Sequence, residues 1–101
     1  MADSTKLTRW HVVFAGRVQH VGFRYTAYYL AKSLYLTGWV DNLPDGRVEM
    51  ELQGARSQLR RMLLRLKEQK HLRIAQLQVR QLPWKHGERR FAVRSDAEEE
   101  S

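Results

Sequence analysis

The stretch GWVDNLPDGRVEMELQG, residues 38–54, decides how the rest of the chain is read. Its middle, LPDG, is a turn: Pro44 presets one backbone angle and Gly46 accepts another that most residues avoid. After the turn, Val48, Met50 and Leu52 alternate with charged residues, the pattern of a half-buried strand. Before it, WVDN reads as a second short strand. Two strands about one turn make a hairpin, and Gly54 is expected to end it.

Working outward, both flanks are helical. On the N-terminal side RYTAYYLAKSLYL, residues 24–36, places Ala27, Leu30, Ala31 and Leu34 at helical spacing, with Tyr28 and Tyr35 widening the stripe. Thr37 and Gly38 are expected to stop this helix. On the C-terminal side ARSQLRRMLLRLKEQK carries Leu59, Met62, Leu63 and Leu66 at i, i+3, i+4 and i+7, with a basic outer face. Beyond the helices lie RWHVVFA, a buried strand over residues 9–15 ended by Gly16, and LRIAQLQVRQL, an imperfectly alternating strand. PWKHGE is a connecting turn and RRFAVRS a final short strand. The order βαββαβ, plus that last strand, implies an α+β ferredoxin-like sandwich: an antiparallel sheet with two helices on one face.

At 101 residues the chain is one domain, with 43% hydrophobic residues to fill a modest two-layer core. Residues 1–8 read as a flexible arm, 9–95 as the folded domain, and 96–101, which hold DAEEES, as a disordered acidic tail. No internal repeat is visible. With no cysteine, disulfides, thiolate metal sites and a cysteine nucleophile are excluded. No signal-like segment and no apolar run of about 18 residues occurs, so a cytoplasmic protein away from membranes is expected. The net charge of +7, which reads as spread along the chain, favours anionic partners as much as it favours simple solubility.

The segment GRVQHVGFR, residues 16–24, joins the first strand to the first helix. Backbone N–H groups at a helix start lack partners and carry partial positive charge, and a glycine-flanked turn can aim several of them at one anion. Arg24, just inside the helix, can add a guanidinium fork. Many strand-to-helix turns hold Gly and Arg and bind nothing, so the loop alone leaves both readings open. There is no G-x-x-x-x-G-K-[ST] phosphate loop. Asn42, at a strand end before a turn, is equally a turn residue by spacing alone.

Taken together, the two stretches resemble the acylphosphatase family. GRVQHVGFR is similar to the pattern G-x-V-Q-G-V-x-F-R, and residues 38–54 to G-(aromatic)-V-x-N-x-x-D-G-x-V-E followed by Gly. The resemblance extends from residue 10 to about 94. It implies a small metal-free hydrolase, without cofactor, that cleaves the carboxyl-phosphate bond of a small-molecule acyl phosphate. Position by position it puts the catalytic arginine at Arg24 and the catalytic asparagine at Asn42. The phosphate-holding segment falls on Gln19, His20, Val21, Gly22 and Phe23. His20 departs from the pattern, which has glycine there; its side chain either points to solvent or touches the substrate at the mouth.

Other constellations carry less. His11, His20, His71 and His86 show no metal-ligand spacing, and no G-x-S-x-G occurs. His11 reads as a satisfied sheet-face residue, Asp41 as solvent-facing, and Trp39, Tyr28 and Tyr35 as core or rim. Two further readings are an anion-binding relative with weak turnover and a basic nucleic-acid-binding module. The latter is disfavoured because RVEMELQ lacks the aromatics that RNA-recognition sheets carry on their third strand. A monomer is expected, since one core accounts for the apolar residues.

Overall fold

The computed structural model describes residues 5–94. Seven elements follow one another: β1 (Leu7–Arg17), α1 (Phe23–Ser33), β2 (Thr37–Asn42), β3 (Val48–Ala55), α2 (Arg56–Lys67), β4 (Arg73–Leu82) and β5 (Phe91–Val93). The strands form one sheet in the order β4-β1-β3-β2-β5. The first four pair antiparallel with one another. The sheet as a whole is mixed rather than purely antiparallel, because β5 adds parallel to β2, with Phe91, Ala92 and Val93 opposite Gly38, Trp39 and Val40. The ferredoxin-like α+β arrangement stands, with this short parallel strand on its edge.

Strand alternation builds the core. Val12 and Phe14 on β1, Val40 on β2, and Val48, Met50 and Leu52 on β3 all lie on one face and are fully buried. Against them pack Ala27 and Ala31 of α1 and Leu59, Met62 and Leu66 of α2. Truncating one such leucine typically costs about 2–5 kcal/mol. The opposite sheet face carries a polar cluster instead. Arg9, only 3% exposed, donates to Glu51, Gln53 and Glu88, and the Thr37 hydroxyl also donates to Glu88. Burial opposes charge on both Arg9 and Glu88. The hydrogen bonds between them outweigh it, raising the Arg9 pKa and holding the Glu88 carboxyl below the usual range. His11 lies on the same face, 2.8 Å from Glu49.

Several boundaries differ from the sequence reading. β1 starts at Leu7, so Leu7 and Thr8, assigned to the arm, pair with Ala55 and Gly54; it also runs past Gly16 through a register shift at Ala15/Gly16. β3 continues through Gly54, which does not break it. An added Cβ there would lie 2.5 Å from the end of the Leu36 side chain, which would have to shift. α1 ends at Ser33, earlier than residue 36. Its stop is Tyr35, at φ 58, with the Leu36 and Tyr35 N–H groups bonded back to the Ala31 and Lys32 carbonyls. That is the Schellman arrangement, with a tyrosine where glycine is usual. Gly38 lies inside β2. The charge is also less evenly spread than expected. Seven of the 18 Lys and Arg residues fall within residues 56–73, along and just after α2, where Glu68 is the only acid. The arm before residue 5 and the acidic tail lie outside the described residues.

Candidate active site

The loop between β1 and α1 is pinned by alternation. Val18 and Phe23 are buried, and Val21 is half-buried against the core. Phe23 packs on Phe14 with ring centroids 4.9 Å apart. Between these anchors His20 (φ 63) and Gly22 (φ 80) take left-handed conformations, the kind of backbone that can gather N–H groups into an anion-binding concavity. Space around Gly22 is open, so glycine is there for its angle and not for clearance. No side chain caps the start of α1 and no acid stands in its first turn. The free N–H groups of that turn therefore remain available to an outside acceptor.

Asn42 reaches the loop through sheet geometry. It ends β2 opposite Val48 and shares the parity of Val40, so it faces the helices while Asp41 faces the other way. Asp41 is half-buried rather than solvent-facing, and its carboxylate accepts the Asn42 N–H at 2.8 Å. The hairpin is tied to the loop by Gln19, whose side-chain amide donates to the Leu43 carbonyl at 2.7 Å and the Arg47 carbonyl at 2.8 Å.

A pocket of about 300 Å³ results, lined among others by Gln19, His20, Gly22, Phe23, Arg24 and Asn42. The two residues singled out by the motifs, 18 positions apart in sequence, thus meet at one cavity. Val21 is not among its lining residues; it serves as an anchor. Arg24 sits in the first turn of α1, where the helix dipole disfavours a cation unless an anion is near. One of its Nη1 hydrogens goes to the Arg94 carbonyl. Arg94 follows β5, its N–H donates to the Val40 carbonyl, and its guanidinium lies 4.0 Å from the centre of the Trp39 ring. This fastening holds the Arg24 stem in place and leaves other N–H groups of its fork for a ligand.

Three participants were not visible in the sequence reading. The Gln19 side chain acts as a strut; only its place in the motif marked it. Tyr25, 64% exposed, forms part of the pocket wall. The Arg94 carbonyl anchors Arg24, and no side-chain pattern could have signalled a backbone acceptor 70 residues away. Among the described residues, no three His, Cys, Asp or Glu side chains gather as a possible metal site, and no helix is long and apolar enough to cross a membrane.

Comparison with known proteins converges on one family. The acylphosphatase family model matches residues 10–93. An acylphosphatase of Trichormus variabilis is 54% identical over 66 residues, which cover 62% of this chain and 65% of that protein. One of Clostridium beijerinckii is 34% identical over 89 residues, covering 87% of this chain and 99% of its own. The matched stretch thus spans somewhat under two thirds of the Trichormus relative and nearly all of the Clostridium one. Among solved structures, the acylphosphatase of Bacillus subtilis superposes with a TM-score of 0.81 at 31% identity, over 89% of this chain and all of that one. The family match takes in every residue that lines the pocket, and with this agreement of sequence and fold the chain belongs to the acylphosphatase family.

Proposed function

We propose that the protein hydrolyses acyl phosphates to a carboxylate and inorganic phosphate, with Arg24 and Asn42 as its catalytic residues. The observation that carries this reading is the meeting of Arg24, Asn42 and an uncapped helix start at one pocket. The substrate is a mixed anhydride whose leaving group is a carboxylate, a weak base that needs no general acid. Catalysis of such phosphoryl transfer is mainly positioning and charge stabilisation. The Arg24 fork and the loop N–H groups from residue 19 to 23 hold the phosphoryl oxygens in a geometry set before reaction. Asn42 offers an amide oxygen and an NH₂, which orient a water in line with the departing carboxylate. The water oxygen bonds to phosphorus as the bond from phosphorus to the carboxylate oxygen breaks. The water proton passes to a phosphate oxygen, since a carboxamide is no base. Tyr25 at the wall gives the acyl portion an apolar surface.

The test is phosphate release from acetyl phosphate or benzoyl phosphate with EDTA present. Turnover above buffer, lost in Arg24→Ala and Asn42→Ala, supports the reading; no turnover on any acyl phosphate overturns it. A second reading, an anion-binding relative with slow turnover, is favoured by His20 alone, which occupies a left-handed position where the family pattern has glycine. The cysteine-free chain suits a cytoplasmic setting, and one core taking up the buried apolar residues suits a monomer.

A further inference from the structure

A second cleft lies at the other end of α1. Its floor is Leu36 and Phe91, both buried, and its walls are Tyr28 and Tyr35. Lys32, Arg89 and Arg90 surround it. It encloses about 490 Å³, within the usual range of small-molecule sites, roughly 300–1,000 Å³. It shares no lining residue with the first pocket.

We propose that this cleft is a second anion site that takes a nucleoside polyphosphate. Among the described residues no carboxylate lines this cleft beside its three cations. The nearby Glu88 is taken up by Arg9 and Thr37, and the ammonium of Lys32 lies 6.0 Å from the centre of the Tyr28 ring. Clustered cations repel one another, and a polyanion between them removes that repulsion. Arg89 and Arg90 supply planar forks suited to phosphate oxygens.

Tyr35 points to the other half of the ligand. It adopts φ 58, a conformation that glycine takes without strain. Its side chain is 88% exposed, so it is not kept for packing within the chain. A strained residue that buries nothing is a sign of function. Beside Tyr28 it offers an aromatic face, and a nucleobase is the planar group that stacks on such a face while its phosphates reach the arginines. The partial negative charge at the end of α1 is offset by Lys32 in the last turn.

The test is a titration of the full chain with ADP in EDTA, followed by backbone amide shifts. Shifts at residues 28–36 and 89–91, half-saturating below about 1 mM, are expected. Arg89→Ala with Arg90→Ala should weaken binding at least about tenfold by removing charge-assisted bonds; if that variant fails to fold, Lys32→Gln serves. Tyr35→Gly should weaken ADP binding while raising Tm, a pairing that a merely structural tyrosine cannot give. Arg24→Ala should leave ADP binding unchanged, which keeps this result separate from the acyl phosphate reading. Shifts confined to residues 19–24, or no binding by about 5 mM, overturn the site. Pyrophosphate binding as tightly as ADP, with Tyr35→Gly indifferent, overturns the nucleoside assignment.

Discussion

The Gln19 side-chain amide donates a 2.7 Å hydrogen bond to the Leu43 carbonyl, across the gap between the β1–α1 loop and the β2–β3 hairpin. A second bond, to Arg47, fastens the far side of the same turn. The loop holds the proposed phosphate donors and the hairpin holds Asn42, so this amide sets the distance between them. Gln19→Leu keeps the volume and removes both bonds. It is expected to cost about 1–3 kcal/mol of stability, the net worth of two hydrogen bonds, since the Leu43 and Arg47 carbonyls keep the Gly46 and Leu43 N–H groups as donors. It should lower kcat at least about tenfold through misplaced water, with inhibition by inorganic phosphate little changed. Steady-state kinetics with benzoyl phosphate check the split.

Arg24→Lys tests the fork. A lysine has one compact ammonium and cannot satisfy the Arg94 carbonyl and span two phosphoryl oxygens together. The expected result is a loss of about 10²–10³ in kcat/KM, the usual effect of removing a preorganised donor. Near-unchanged activity in that variant would show that charge alone suffices.

His20 stands at φ 63 with its side chain exposed. His20→Gly relieves a left-handed strain of about 1–2 kcal/mol, less the entropy glycine adds to the unfolded chain, so a net gain of about 1 kcal/mol is expected in urea melts. Activity should hold or rise. A fall would instead assign the His20 ring to phosphate binding.

Tyr35→Gly follows the same logic at the end of α1. The Schellman bonds of Leu36 and Tyr35 are backbone bonds and survive the change. Thermal unfolding should shift upward, by an amount equivalent to about 1 kcal/mol.

The Arg9–Glu88 pair sets an acid limit. Glu88 titrates below its ordinary range in the folded state because Arg9 and Thr37 outweigh its burial. A depressed carboxyl adds stability that is fully present above the unfolded value, about 4.3, and is lost as pH falls through the lower folded value. Glu88→Gln should therefore cost about 1.5–3 kcal/mol at pH 7. The gap between variant and wild type should narrow below about pH 4. Denaturant melts from pH 3 to 7 measure it.

The βαββαβ order was legible because Val48, Met50 and Leu52 keep a period of two while Leu59, Met62 and Leu66 keep one near 3.6. Punctuation misled where a residue served packing or geometry instead. Gly54 looked like a strand end but makes room for Leu36, and Tyr35 looked like a helix residue but ends the helix in a conformation sequence patterns assign to glycine. The parallel pairing of β5 rests on backbone register across some 50 residues, and three residues carry no periodicity to reveal it. Of the site, Arg24, Asn42 and the coiled loop were readable from the two motifs. The Gln19 strut and the Arg94 carbonyl were not, because side-chain-to-backbone bonds leave no trace in residue type at the acceptor.

Arg24 takes its resting orientation from a backbone oxygen just beyond β5, and β5 is a three-residue strand with one paired edge. Such an edge opens more readily than the sheet interior. Each time it frays, the guanidinium loses its tether and its fork is free to swing. On the proposed role of Arg24, the rate of edge breathing enters the time for which the pocket is correctly set, and remote substitutions that loosen or tighten β5 are expected to act on turnover without touching the substrate.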